Sequence, residues 1–310
     1  MQNKPLISII VLSYNSSKTI LETLDSVLAQ GYSEIELIIS DDFSTDNTLN
    51  IVKSWIELNG KKLKKCFLRE SSKNQGISLN AKQGIEASSG KWIKLFGADD
   101  IFFPNAISEF VKFAEENGSN IVFSRIEQFY DEGEIITSGE KFDYYQRAFS
   151  ILRKKYSAKI QNDILRYSNN YCPAPSAMFS REVYDKVGGL DTSILMAEDF
   201  PFWCRLTSNG VQLEFLDKKL VHYRVGRKSV QEKPYFKVAK RLLKYKFYLN
   251  VPNFGIYNHI SQKDNSNSLK NKILFIILKI ISILYIIVFR NRARKIAKQY
   301  DVEFRNVKLF

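Results

Sequence analysis

Short apolar runs alternate with amphipathic ones over the first two hundred residues, and that alternation predicts the fold. Leu6 to Leu12 is a β-branched run bounded by Pro5 and by Ser13-Tyr14-Asn15, which reads as a buried first strand. Ser16 or Ser17 can cap a helix through about Ala29, with Ile20, Leu24, Val27 and Leu28 as its apolar stripe. Strand character restarts at Ile35, ends in Asp41-Asp42-Phe43-Ser44-Thr45-Asp46, and gives way to a helix through about Leu58. Strand, acidic turn, helix is the βα unit of a parallel sheet. Cys66-Phe67-Leu68 is a short third strand, Gly76 to Ala87 a helix, and the stretch from Lys91 to Phe96 a fourth strand.

Pro104 opens the next helix, which carries Ile107, Phe110, Val111 and Ala114 and stops at Gly118. A fifth strand covers Asn120 to Ser124, and Asp143 to Tyr171 reads as helices with a loop. Ser176 to Phe179 looks like another strand, and Val183 to Val187 a short helix stopped by Gly188-Gly189. Glu198 starts a helix that ends near Gly210, and Leu213–Leu216 and Leu220–Arg224 read as two closing strands. The whole predicts an α/β body with a mostly parallel central sheet flanked by helices.

The fourth strand ends in Gly97-Ala98-Asp99-Asp100. Adjacent acids at a strand's carboxyl end repel unless a cation or a donor sits between them, and in open α/β sheets that end is where ligands bind. Hard oxygens there suit Mg²⁺ or Mn²⁺, with a substrate phosphate completing the shell. A solvated Asp-rich turn is the plainer alternative.

Charge divides the chain. Its net +13 is the sum of +18 from Lys218 to Phe310 (22 Lys/Arg against 4 Asp/Glu) and −5 from the first 217 residues. Residues 1–230 thus read as a near-neutral globular body and 231–310 as a basic tail, which suggests a polyanionic partner. Pro234 to Asn250 is a basic amphipathic helix and Gln262 to Ser268 a polar linker. Ile273 to Phe289 is apolar except for Lys279 and Ser282, and at 1.5 Å per residue it reaches about 25 Å. That is slightly short of the ~30 Å hydrocarbon core, and Lys272, Lys279, Ser282 and Arg290 fall near one stripe, which favours a helix lying in the membrane interface over one that spans, with a buried core helix as the third reading. The Arg292-Ala293-Arg294-Lys295 run suits anionic headgroups. Three widely spaced cysteines (Cys66, Cys172, Cys204) fit a reducing compartment, and no signal peptide is recognised at the start.

In this order the motifs resemble a family 2 glycosyltransferase of the GT-A fold, over roughly Pro5 to Val230. The resemblance rests on Pro5 to Asn15, Ser26-Val27-Leu28-Ala29-Gln30, Asp41 to Thr48, Asn74-Gln75-Gly76-Ile77-Ser78, Gly97-Ala98-Asp99-Asp100 and Glu198-Asp199. It implies transfer of a sugar, with inversion, from a nucleotide diphosphate (a UDP-sugar) to a hydroxyl of a glycan or lipid-linked glycan in surface-polysaccharide assembly. It further implies that Asp42 bonds the uracil ring and that Tyr14 and Asn15 lie against base and ribose. Asp41 orders the turn or caps the following helix, and an N-terminal cap is open for Asp42 too. Asp100 would ligate Mn²⁺ or Mg²⁺, with Asp99 on the ribose or behind the metal. Asp199 would be the general base, raised by its neighbour Glu198 and lowered by the helix N-terminus. Arg224, in a basic segment with His222, Arg227 and Lys228, would close over the diphosphate. Trp203 either floors the acceptor site or belongs to the core.

Two departures stand out: Gly97 holds a position where the family often has an acid, and Asn80-Ala81-Lys82 replaces its usual Ala-Arg-Asn. A nucleotidyltransferase would need a glycine-rich basic loop after the first strand, which Ser13-Tyr14-Asn15-Ser16-Ser17 does not provide. Nucleic acid is set aside as a partner because the tail's basic residues flank an apolar helix rather than interleave with stacking aromatics. An inactive donor-binding relative is the remaining alternative. The expected location is the cytoplasmic face of the plasma membrane.

Overall fold

The computed structural model describes residues 4–131, 133–167, 173–192, 198–225 and 291–300. Four strands, β1 (Ile7–Ser13), β2 (Ile35–Asp41), β3 (Lys65–Glu70) and β4 (Trp92–Gly97), form a parallel half-sheet in the order β3-β2-β1-β4. β1 and β2 are almost wholly buried, as expected for near-continuous apolar runs covered on both faces. Helices α1 (Ile20–Leu28), α2 (Thr48–Asn59) and α3 (Ile77–Glu86) make the crossovers. A two-residue strand β5 (Ile101–Phe102), helix α4 (Ala106–Asn117), strand β6 (Ile121–Phe129) and helices α5 (Glu140–Arg153) and α6 (Ala158–Tyr167) follow. The chain then forms a 3₁₀ turn (Ala174–Ser176), β7 (Ala177–Ser180), α7 (Arg181–Lys186), α8 (Asp199–Ser208) and β8 (Glu214–Arg224).

The sheet continues β4-β7-β6-β8-β5, and this half adds antiparallel pairings to the mostly parallel sheet that was expected. β7 pairs antiparallel with both β4 and β6, and β5 antiparallel with β8, while β6 and β8 are parallel. Apolar periodicity reports burial and carries no strand direction, so the reversal at β7 left no trace in the pattern. The two strands expected at the end of the body are one strand whose register shifts opposite Ser124, Arg125 and Ile126 of β6.

This topology fixes where a ligand can bind. The carboxyl ends of β1, β2, β3 and β4 share one edge of the sheet. The amino end of antiparallel β7 reaches the same edge, as do the carboxyl ends of β6 and β8. Residues 1–162 and 170–233 form one compact unit that contains the sheet, and 163–169 with 234–310 form another. The expected tail helices over 234–250 and 273–289 lie outside the described residues. In that second unit, the helix over 291–300 buries Ala293 and Ile296, and Arg292 stands over the Tyr167 ring at 5.1 Å. Among the described residues no helix is long and apolar enough to cross a membrane.

Candidate active site

The turns after β1 and β2 are laced together. Asn15, in the left-handed region at φ 52°, accepts the Thr45 N–H at 2.8 Å and the Asp46 N–H at 3.3 Å on its Oδ1. Its own N–H donates to Ser44 Oγ, and the Ser16 and Ser17 N–H groups donate to Thr48 Oγ1 and Asp46 Oδ2. The two serines therefore do not cap α1, whose N-cap is Thr19. Thr19 instead donates to the Ala98 carbonyl at 2.8 Å, tying α1 to the end of β4. Asp41 is the keystone of the second turn: its carboxylate accepts from the Ser13 hydroxyl and from both the N–H and the hydroxyl of Ser44. Of the two roles left open for Asp41, ordering the turn is the one observed.

Asp42 is also buried, and its two oxygens accept the Gln75 and Gly76 N–H groups at 2.9 and 2.8 Å. It thus holds the entry to α3 rather than the start of the helix that follows it. Arg69 reinforces the same corner, donating to Ser40, Ser71 and Asn80. Asn80, which departs from the family's helix motif, pairs with Ser40 through its side chain. Tyr14 stands 50% exposed at the mouth of this corner, with its ring available for stacking.

The acid pair lies one strand over. A Cβ placed on Gly97 would sit 2.6 Å from Asp99 Oδ1 and 3.1 Å from Asp100 Oδ2, so both carboxylates converge over that glycine. Asp100 is buried, and its Oδ1 accepts the Arg224 N–H at 3.1 Å. Burial, then the charge of Asp99, push the Asp100 carboxyl well above its usual range. Asp99 keeps exposed surface, and partial burial of its carboxyl raises its pKa as well. Arg224 ends β8, and its guanidinium is already engaged: Nε donates to the Asp99 carbonyl at 2.9 Å and Nη2 to Glu22 at 2.6 Å, while Asp131 stands 3.6 Å away. The ring of Phe129 lies 4.5 Å from the guanidinium. Arg224 braces the acid pair through these contacts. His222 stacks on Phe103 at 3.7 Å and faces Glu127, so it is a packed ring. Arg227 and Lys228 lie outside the described residues.

The third group comes from α8. Asp199 is its first residue and Glu198 the residue before it. Burial, then Asp199, push Glu198 up to about 8. Burial pushes Asp199 up to about 6, against the pull of the Phe200 and Ala174 N–H groups that face its carboxylate. Ala174 opens the 3₁₀ turn at the amino end of β7, which brings Asp199 to the same edge as Asp42 and Asp100. Lys94 Nζ, on β4, donates to the Pro175 carbonyl in that turn. Trp203 is buried against Phe123 and Phe179, which settles it as core.

One edge therefore carries Tyr14, Asn15, Asp41, Asp42, Asp99, Asp100, Glu198, Asp199 and Arg224. The sequence matches the family described as Glycosyl transferase family 2 over residues 8–188. The chain belongs to that family. It is similar to the following proteins. WfaP of Escherichia coli, described as a UDP-Glc:alpha-D-GlcNAc-diphosphoundecaprenol beta-1,3-glucosyltransferase, is 27% identical over 228 residues, 73% of this chain and 79% of that one. S. aureus TarS residues 1–349 in complex with UDP-GlcNAc superposes with a TM-score of 0.57 at 19% identity, covering 77% and 66%. The mannosyltransferase PcManGT from Pyrobaculum calidifontis, in complex with GDP-Man and Mn²⁺, gives 0.56 at 16%, covering 96% and 88%. Both solved structures share the GT-A-type mixed α/β fold. The chain spans 64% of the length of two other curated relatives it matches.

The departure at Gly97 now has a physical reason in this family 2 member. Any side chain there would occupy the space into which Asp99 and Asp100 turn. The donor set suits a hard divalent cation: two carboxylates converge, and their mutual repulsion is relieved by a positive charge between them. Among the described residues no group of three His, Cys, Asp or Glu could hold a metal ion. An ion here would take its remaining ligands from a bound phosphate, as Mg²⁺ sites commonly do. Lys94 was missed from the sequence, where a lysine within an apolar strand was the available signal.

Proposed function

We propose that this chain is an inverting glycosyltransferase that moves a sugar from a UDP-sugar to a hydroxyl of a glycan or lipid-linked glycan. The observation that carries the reading is the gathering of three acid sites on one edge, one of them with a carboxyl held near neutrality. Asp42 and the laced turns would hold the nucleotide, with Tyr14 against the base. Asp99 and Asp100 would hold Mn²⁺ or Mg²⁺, which when bound neutralises charge on the departing diphosphate. Asp199 would accept the acceptor's hydroxyl proton as its oxygen bonds the anomeric carbon and the carbon–phosphate oxygen bond breaks, releasing UDP. The TarS complex and the WfaP description support the donor class, PcManGT the metal, and WfaP a diphosphoprenol-linked acceptor.

The test is UDP release by the purified full chain from UDP-glucose and UDP-GlcNAc, with a diphosphopolyprenol-linked GlcNAc acceptor and Mn²⁺. The expected result is turnover abolished by EDTA, an inverted anomeric centre in the product, and a fall in kcat of about 10²–10⁴-fold in Asp199→Asn with UDP binding kept. Absence of both turnover and calorimetric UDP binding overturns the reading. We infer also that residues 231–310 hold the body at the cytoplasmic face of a membrane, on the strength of their net +13 and the apolar run 273–289.

A further inference from the structure

Among the described residues near the site, Lys94 is a charged side chain for which this reaction has no evident use. It lies within β4, 0% exposed, and is among the largest fully buried side chains of the protein. Three rings surround its ammonium, Phe96 at 5.2 Å, Phe110 at 5.4 Å and Phe102 at 5.7 Å. Methionine or leucine would suit such a pocket, and replacing a buried charge by an apolar group of similar volume is often neutral or stabilising. Burial pulls the ammonium down to about 7, with the charge of Asp100 opposing. A group this unfavourable to bury is expected to do something an apolar side chain cannot.

Its hydrogen-bond partner and the acid whose charge acts on it belong to different halves of the site. Asp100 is the buried member of the acid pair at the end of β4. The Pro175 carbonyl, which accepts its hydrogen bond, lies in the 3₁₀ turn Ala174–Ser176. The first N–H of that turn faces the Asp199 carboxylate. β4 and β7 pair through Trp92 with Ser180 and Ile93 with Phe179, at the far end from the acids. Nearer the site no ladder pair joins the two strands, and the Lys94–Pro175 bond ties β4 to the turn.

Resting on the transferase reading, we propose that Lys94 is a positioning residue: it locks the Ala174–Ser176 turn to β4, so that the Ala174 N–H keeps Asp199 aimed at the hollow beside Asp100. It touches no reacting atom.

The experiment compares Lys94→Met, Ala174→Pro and the double variant with the wild type. Proline is tolerated at the first position of a helical turn and removes only the N–H in question. Lys94→Met is expected to melt at or above the wild-type temperature. Its kcat for UDP-sugar turnover is expected to fall about 10²-fold, the scale of a 1 Å misplacement, with the Kd for UDP in Mn²⁺ held within about 3-fold. Because the lost N–H favours the charged form, the Asp199 midpoint, read by carboxyl ¹³C NMR, is expected to rise. Ala174→Pro is expected to reproduce the kcat loss and the raised midpoint, and the double variant to be no worse than Lys94→Met alone. Wild-type kcat and an unmoved Asp199 midpoint in Lys94→Met overturn the proposal. Additive losses in the double variant, or melting temperature and UDP binding falling together with kcat, overturn it as well. If the wild type turns over no UDP-sugar, the transferase reading fails, and the NMR midpoint still decides whether Lys94 positions Asp199.

Discussion

Glu198 and Asp199 sit side by side and titrate apart, near 8 and near 6. A base must be charged to act, so kcat is expected to rise with pH through about 6. Glu198 remains neutral until about 8, and Glu198→Gln is expected to leave the limb near 6 in place while removing any change near 8. Stability runs the opposite way. Both folded-state values lie above the ordinary carboxylate range, so the native state binds the extra protons, and stability is full below the ordinary values near 4 and is lost progressively as pH rises from there to about 8. Thermal melts are therefore expected to place Glu198→Gln level with the wild type at about pH 4 and several degrees above it at pH 9, at roughly 2–4 °C per kcal/mol for a body of this size. Gly97→Ala probes the acid pair: Asp99 must move from its 2.6 Å approach, so Mn²⁺-dependent UDP binding is expected to weaken about tenfold or more by calorimetry, with the fold kept. Asp99 and Asp100 could be placed at the end of β4 from strand order, whereas Asp42 and Asp199 were singled out by the family resemblance. Lys94 was not legible as a buried group, because one lysine in a strand reads as its solvent-facing alternation.

At the level of elements, helix stops and strand starts were the best-read features. Gly118 ends α4 in the left-handed conformation at φ 60°, and the strand after it begins within a residue of its expected start. What failed was what depends on distant partners. β5 has two residues and exists only because Ile101 and Phe102 pair with His222 and Val221. The closing strand looked broken because Asp217, Lys218 and Lys219 are polar; the register shift against β6 carries it through, with Asp217 paired to Arg125 and Arg153. Close packing at the opposite end of the sheet gives a contrast with Gly97. A Cβ on Gly90 would lie 2.5 Å from Ser8 Oγ and 2.6 Å from the Ser8 backbone nitrogen, which β1 cannot yield without losing register. Gly90→Ala is expected to lower unfolding stability by about 1–3 kcal/mol in urea while the folded fraction binds UDP normally.

Over the whole molecule, charge is the property most plainly written in the sequence. The first 217 residues carry −5 and the remainder +18, a polarity suited to an anionic surface. Deleting residues 265–310 is expected to move the protein from the membrane to the supernatant fraction of lysed cells; unchanged partition would remove the anchoring role. The parallel half of the sheet and its ligand edge could be foreseen from strand–turn–helix order alone. The antiparallel return through β7 could not, although it is that reversal which carries Ala174, and with it Asp199, to the edge where the other acids stand.

The bonds from Asn15 to Thr45 and Asp46 have a kinetic consequence. Walls already joined to each other require little ordering when a guest arrives, so association is limited by encounter rather than by rearrangement. In deuterated water the amides of Thr45 and Asp46 are expected to exchange slowly in the empty protein, and UDP is expected to change those rates little.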